Sequence, residues 1–223
     1  MALNAALRIE PERGEAHAAG GRLCLLRGEY ANACDWLERA IARMPPDKVV
    51  NGNLALALST LGRYEEALQH ARIAVQLDAH NARLYTIIGR IMMELGHMTE
   101  AVAACEEAIR LDPTCGPAHE RLSHARKSTP DDLGLIQRME HTLTGTLALP
   151  DRYNLHFALG KRYDDLHEYD KAFAHYQQGN TLAKPAQKPA TGATFLDAEK
   201  QWCTRKMLLK ARASANPSDT PVF

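Results

Sequence analysis

A single spacing recurs through the first half of this 223-residue chain. Small residues return at three positions, each time after a step of 34 residues. The positions hold Gly28, Gly62 and Gly96, then Ala33, Ala67 and Ala101, and finally Ala40, Ala74 and Ala108. Self-similarity at a period of this length is typical of stacked helix pairs, in which each pair buries its apolar face against the next one. The sequence therefore predicts an all-α fold of antiparallel helix pairs.

Three successive copies align on these residues, at 14–47, 48–81 and 82–115. Between their two helices the copies read RGEYANA, LGRYEEA and LGHMTEA. The glycine of each turn is expected to end the first helix in a left-handed conformation, at low steric cost. Ala67 and Ala101 begin a seam of small residues on the second helices. We expect both to be almost fully buried, because a larger side chain there would hold the helices apart.

The glycine–x–tyrosine turns at 28–30 and 62–64, the small-residue positions and the closing prolines Pro45 and Pro113 resemble the tetratricopeptide repeat. The resemblance implies a right-handed superhelical solenoid of antiparallel helix pairs. In that family the first helices line a concave groove, which binds extended peptides or a neighbouring domain. The chain would then be a non-enzymatic interaction module.

The repeats continue less regularly on both sides of these three copies. A leading half-copy is expected at 1–13, a degenerate copy at 116–150, and a last copy at 153–186 that is displaced by three residues from strict 34-residue spacing. The solenoid is thus expected to span 1–186. Residues 187–223 are interpreted as a linker, a C-terminal helix and a connector to a missing downstream domain.

A second resemblance concerns the segment 155–184. It is similar to the last repeat of bacterial proteins in which tetratricopeptide repeats precede a sulfotransferase domain. In those proteins a strand that begins Pro-(Val/Ile)-Phe leads into a phosphosulfate-binding loop, and this chain ends Thr220-Pro221-Val222-Phe223. The resemblance implies an alternative function, in which the chain is a fragment that recruits substrate for a downstream sulfotransferase. Only that downstream domain would bind the cofactor, 3′-phosphoadenylyl sulfate (PAPS).

Composition excludes several classes of partner. The 27 basic and 27 acidic residues balance, so neither nucleic acid nor a membrane surface is predicted as a partner. No apolar run approaches the ~20 residues that span a bilayer. The five cysteines lack CxxC spacing and are interpreted as core thiols, which fits a reducing cytoplasmic location. The ten histidines form no metal-binding motif, so neither a metal nor a cofactor is expected for this chain.

No catalytic residue is predicted either. The group Asp164, Asp165 and His167 resembles an acid/base cluster, but it falls at the turn of the last copy, where polar residues are expected anyway. Phosphate-binding glycine motifs are missing from the sequence as well.

The family resemblance assigns the groove to eight side chains. They are Arg22, Asn53, Leu56, Arg83, Arg90, Arg121, His124 and Lys161. This set is cationic although the chain is neutral, so it favours an acidic peptide or protein partner. Asn53 and Arg83 match two positions of the family's carboxylate-clamp variant, whereas Ala18 and Ile87 depart from it. The alternative interpretation is that these polar residues only solvate an open face.

Overall fold

The computed structural model describes residues 13–183, and every regular element within that range is helical. The all-α fold class is therefore confirmed. The helices are α1 (Gly14–Leu26), α2 (Tyr30–Ile41), α3 (Lys48–Thr60), α4 (Tyr64–Leu77), α5 (Ala82–Glu94), α6 (Met98–Leu111), α7 (Gly116–Ala125), α8 (Leu133–Thr144), α9 (Leu149–Asp165) and α10 (Tyr169–Ala183). A short 3-10 turn, Pro130–Asp132, precedes α8. Residues 1–12 of the expected half-copy and all of 187–223 lie outside the described range.

The first six helices form the pairs α1–α2, α3–α4 and α5–α6. The turns between paired helices contain Gly28, Gly62 and Gly96, whose φ angles are 75°, 79° and 79°. The predicted left-handed conformation is thus confirmed. An L side chain rarely adopts it, and it lets the chain reverse direction within three residues.

Small residues allow the paired helices to approach closely. Ala33, Ala67 and Ala101 are all 0% exposed, and so are the alanines seven residues after each of them. The predicted burial of Ala67 and Ala101 is confirmed. On the facing first helices, a Cβ added to Gly89 would lie 2.7 Å from the Cys105 Sγ atom, closer than real Cβ atoms come. The 34-residue step therefore marks the positions where helices touch.

The chain divides into two compact units, with the boundary between Asp112 and Pro113. Unit 1 contains α1 to α6, and its core includes Leu37, Leu54, Leu58 and Ile91, which are at most 1% exposed. Unit 2 contains α7 to α10, and its core is built mainly from α8, α9 and α10.

Unit 2 pairs its helices differently. Here α7 packs mainly against α9, and α9 also packs against α10. At the start of α7, the Gly116 N–H donates to the Asp151 Oδ1 atom over 3.1 Å, and a Cβ on Gly116 would overlap the Asp151 backbone. The sequence predicts a degenerate copy at 116–150 with its own second helix. That helix exists as α8, but it contacts α9, so α7 has a partner from the following copy.

Within residues 13–183, no helix combines the length and the apolarity that a membrane span requires.

Candidate functional site

The first helices of unit 1 lie side by side, with α1 in contact with α3 and α3 in contact with α5. A Cβ added to Gly52 would lie 2.7 Å from the Leu84 Cδ2 atom, so α3 and α5 are close near their beginnings. Residues spaced i, i+4 and i+7 share one side of a helix. We call the nine residues at such positions the first-helix face. They are Glu15, Ala19 and Arg22 on α1, Val49, Asn53 and Leu56 on α3, and Arg83, Ile87 and Arg90 on α5.

Asn53 is at the middle of this face. It is only 9% exposed, and its amide forms no hydrogen bond with any residue of 13–183. Buried side-chain amides ordinarily have partners, because an unmet donor or acceptor costs free energy. Asn53 therefore offers donors and an acceptor to whatever occupies the face.

Arg90 connects two of the helices. Its Nη2 atom donates to the Leu56 carbonyl oxygen and to the Thr60 Oγ1 atom, each over 3.3 Å, and also to the Ser59 hydroxyl. These acceptors belong to the last two turns of α3, the end of the helix where a cation is favoured. The positive charge of Arg90 is thus used within the protein.

Arg22 and Arg83 are the exposed cations of the face. The side chain of neither residue forms a hydrogen bond or an ion pair with any described residue. Both guanidinium groups are consequently available to a carboxylate or a phosphate.

Two carboxylates that were not predicted from the sequence lie on the face or next to it. Glu15 forms an ion pair with Arg13 over 3.6 Å. Glu94, one turn beyond Arg90, accepts a hydrogen bond from the Tyr64 hydroxyl over 3.3 Å. The same spacing that identified the arginines would have placed both carboxylates on this side. The face is therefore mixed in charge, with its free cations at Arg22 and Arg83.

The other three residues of the predicted groove belong to unit 2. Arg121 folds back on its own helix, where its Nη1 atom donates to the Pro117 carbonyl oxygen over 2.9 Å. Lys161 forms an ion pair with Asp165, and His124 is exposed on α7. The structure thus groups five of the eight predicted residues in unit 1. A single groove that includes all eight stays a prediction.

The residues considered for catalysis serve local contacts. Asp165 accepts from Lys161 and from the Ser128 N–H, and the His167 Nδ1 atom lies 2.8 Å from the Tyr169 hydroxyl. Burial raises the pKa of the Cys24 and Cys34 thiols, which keeps them protonated rather than nucleophilic. Within residues 13–183, no three His, Cys, Asp or Glu side chains are grouped as metal ligands.

A polar contact between paired helices recurs at a separation of 19 residues. In unit 1 the His70 Nδ1 atom lies 3.0 Å from the Asn51 Oδ1 atom. In unit 2 the Nδ1 atoms of His156 and His175 are 3.1 Å apart. Burial lowers the pKa of His70 and of His175. The pKa of His156 is lowered to about 4, mainly by burial and to a smaller extent by the charges of His175 and Arg152. These imidazoles are therefore neutral at pH 7.

Known proteins resemble this chain in sequence and in structure. Over 110 residues it is 31% identical to the Hsp70-Hsp90 organizing protein of Triticum aestivum, an alignment that covers 49% of this chain and 19% of that protein. The chain thus spans about a fifth of that relative's length.

Two solved structures share the fold. The APC/C hetero-tetramer Cut9-Hcn1 gives a TM-score of 0.69 at 18% identity, over 82% of this chain and 36% of that one. YrrB, described as a TPR protein with an unusual peptide-binding site, gives 0.59 at 13% identity, over 96% and 98% of the two chains. Residues 2–48 and 53–114 match the family described as Tetratricopeptide repeat. Together with the helix pairs of unit 1, this match makes the chain a tetratricopeptide repeat protein.

Proposed function

We propose that this chain is a protein- or peptide-interaction module, and that the first-helix face of unit 1 binds an extended acidic segment of a partner. Tetratricopeptide repeats mediate protein and peptide binding, which supports the general assignment. The observation that carries the proposal is Asn53, a residue only 9% exposed at the centre of the face, whose amide has no hydrogen-bond partner among residues 13–183.

A peptide backbone is the ligand that suits this amide. An asparagine side chain carries two N–H donors and a carbonyl acceptor, and a peptide unit offers the complementary groups. Pairing them gives this amide partners that it lacks among the described residues. Asn53 would thus fix the backbone of the partner while leaving its side chains free to vary.

The charged and apolar groups around Asn53 set the preference among peptides. Arg22 and Arg83 would pair with carboxylates, for which the planar guanidinium fork is well shaped. Val49, which is 53% exposed, and the half-buried Leu56 supply apolar surface beside the amide. An acidic segment with apolar side chains between its carboxylates fits this arrangement.

The relative from wheat is named for organizing Hsp70 and Hsp90, so a chaperone is one candidate partner. Asn53 and Arg83 agree with the family's carboxylate clamp, but Ile87 occupies another clamp position and is only 6% exposed. We therefore propose an acidic protein segment as the ligand class and leave chaperone tails as one member of it. A role of Arg121, His124 and Lys161 in partner binding stays a prediction from the sequence.

Peptide selection tests the proposal. Libraries of acidic and basic 10-residue peptides are titrated against the full chain at low and high salt, and affinity is measured by fluorescence polarisation. Acidic peptides should bind, and their affinity should fall with salt because exposed charge pairs are screened. Equal binding of both libraries would contradict the proposal.

Substitutions at the face then locate the binding site. Asn53→Ala should weaken binding about 10-fold, the expected loss for one hydrogen-bonded buried amide. The double substitution Arg22→Gln with Arg83→Gln should weaken it about 3- to 10-fold, since exposed ion pairs are worth little each. Asn32→Ala and Arg72→Gln, both exposed on second helices, are matched controls that should leave affinity unchanged. An unchanged affinity of Asn53→Ala would mean that the partner binds elsewhere.

The sulfotransferase-linked alternative also stays a proposal. The segment that carries the resemblance begins in α9 and continues through α10, while the final residues 220–223 lie outside the described range. If the chain recruits substrate for a downstream domain, the chain alone should neither bind PAPS nor transfer sulfonate. Calorimetric titration of PAPS into the full chain tests this, and binding would contradict it. A cytoplasmic location is likewise proposed rather than established.

A further inference from the structure

Unit 2 contains a fully buried cation. Arg162, on α9, is 0% exposed and is among the largest side chains that the protein buries completely. It occupies the repeat position that holds Ala57 and Ile91 in unit 1, once the three-residue displacement of the last copy is allowed for. Those two residues are also 0% exposed, whereas Leu23, at the same position of the first copy, is 38% exposed. The position is thus a core position in two copies of unit 1 and in the last copy.

Only one of the three guanidinium nitrogens of Arg162 has a partner. Its Nη1 atom donates to the Ser128 Oγ atom over 3.1 Å. The Nε and Nη2 atoms are buried, and no acceptor for them exists within residues 13–183. These two nitrogens form one edge of the guanidinium plane, the edge that binds a carboxylate or phosphate through two parallel hydrogen bonds. The unpartnered edge is thus a complete oxyanion fork.

The carboxylates near Arg162 are already paired with other cations. Arg126 donates to both carboxylate oxygens of Asp132, over 3.0 and 2.8 Å. Asp165 pairs with Lys161 and also accepts from the Ser128 N–H over 2.9 Å. Arg126 and Lys161 therefore take the carboxylates of Asp132 and Asp165, and neither carboxylate forms a hydrogen bond with the Nε–Nη2 edge of Arg162. A buried charge without a counter-ion is strongly unfavourable.

We propose that the Nε–Nη2 edge of Arg162 binds a small free oxyanion of the phosphate or carboxylate class. The site is enclosed on one side by the irregular segment 126–129, which lies between α7 and the 3-10 turn. Such a segment opens locally at lower free energy than a helix, so a small ion can enter. The bound anion neutralises the cluster and holds this segment against the end of α9. The site is independent of the first-helix face, which belongs to unit 1.

Thermal unfolding with inorganic phosphate as the probe tests the proposal. The full chain is compared in phosphate and in sodium chloride of equal ionic strength. Phosphate should raise Tm by at least about 2 °C at saturation, because a ligand that binds only the folded state stabilises it. Arg162→Met should lose this phosphate effect. Methionine suits a core position that is apolar in unit 1, so the variant is expected to fold. Arg138→Met, which removes an exposed arginine of α8, should keep the effect.

A spectroscopic measurement does not depend on the variant's folding. The Arg162 Nε–H resonance is followed in the full chain by 15N NMR while phosphate or acetate is added. A saturable shift of this resonance, with other arginine Nε–H resonances unchanged, supports the site. If phosphate shifts neither the resonance nor Tm, or shifts Tm equally in Arg162→Met, the proposal is wrong. In that case the edge is satisfied by water or by a carboxylate of the chain itself.

Discussion

Units 1 and 2 fill one repeat position in opposite ways. Ala57 and Ile91 of unit 1 and Arg162 of unit 2 are all 0% exposed at this position. In unit 1 the surroundings are apolar, whereas in unit 2 Arg162 meets the Ser128 hydroxyl in an irregular segment rich in hydrogen bonds. Full burial at this position is thus compatible with alanine, isoleucine and arginine. The segment packed against that position then determines which residue is tolerated there.

Two glycines at helix contacts, one in each unit, face different kinds of atom. In unit 1, an added Cβ on Gly89 meets the Cys105 Sγ atom, at 2.7 Å, and no backbone atom closer than 3.5 Å. In unit 2, Gly116 faces the backbone of Asp151, which cannot move without moving α9. Unit 2 should therefore tolerate added volume at Gly116 less well than unit 1 tolerates it at Gly89.

Gly116→Ala tests this predicted difference most directly. The added methyl group must separate α7 from α9, and we expect the free energy of unfolding to fall by at least about 3 kcal/mol. Gly89→Ala, the variant of unit 1 chosen for comparison, should cost about 1–2 kcal/mol, because a side chain yields more easily than backbone. Urea denaturation of both variants provides the measurement.

A control for these variants is Gly134→Ala, on the exposed side of α8, where an added Cβ meets only the end of the Arg138 side chain at 3.8 Å. It should raise the free energy of unfolding by about 0.5–1 kcal/mol, since alanine favours helices. Equal effects of Gly116→Ala and Gly89→Ala would show that the contact in unit 2 is no tighter than that in unit 1.

The units should also differ in how their stability depends on pH, because their paired side chains are Asn51–His70 in unit 1 and His156–His175 in unit 2. The folded-state pKa of His156, about 4, lies below the ordinary value of 6.5. The unfolded chain therefore binds more protons between these values, and stability is lost as pH falls from about 6.5 to about 4. We expect His156 to account for a loss of about 2–3 kcal/mol over this range.

His156→Asn gives unit 2 the asparagine–histidine pair of unit 1 and should reduce this pH dependence. Urea denaturation at intervals from pH 7.5 to pH 4 compares the variant with the wild type. Parallel curves for the two proteins would show that the histidine pair does not control acid stability. The units would then differ in their packing but not in the acid sensitivity of their paired side chains.

The smallest expected effect concerns the turn of the last copy. His167 has φ of 63° at the position where unit 1 has Gly28, Gly62 and Gly96. A left-handed residue with a side chain is strained, so His167→Gly should raise the free energy of unfolding by about 0.5–1 kcal/mol. The gain is partly offset by the loss of the contact with the Tyr169 hydroxyl. Thermal unfolding measures the difference, with Gly62→Ala as the reverse change in unit 1. A destabilised His167→Gly would mean that the Tyr169 contact outweighs the strain.

The 34-residue step was sufficient to predict the helix pairs of unit 1. Glycines at the turns and alanines at the seams are dictated by local sterics, which a sequence displays directly. The packing of α7 against α9 could not be predicted in the same way. Residues 116–150 lack the regular turn, so the helix partner there is chosen by contacts between residues far apart in sequence, such as Gly116 and Asp151.

The candidate site was predictable in position but not in chemistry. Spacing placed Asn53 and Arg90 on the same side of neighbouring helices, as the structure has them. Spacing could not show that Arg90 donates hydrogen bonds to α3, or that the Asn53 amide has no partner among the described residues. Hydrogen bonding depends on distances between helices, which spacing does not give. Arg162 was missed for a related reason, since an arginine is ordinarily exposed and only its repeat position indicated burial.

The hydrogen bonds from Arg90 to Leu56, Ser59 and Thr60 join one copy of the repeat to the next. In a linear array, unfolding is governed by the stability of each copy and by the coupling between neighbours. Arg90 contributes to the coupling rather than to either copy. The copies at 48–81 and 82–115 should therefore unfold in one cooperative transition. A partner that binds to one of these copies would then stabilise both against unfolding.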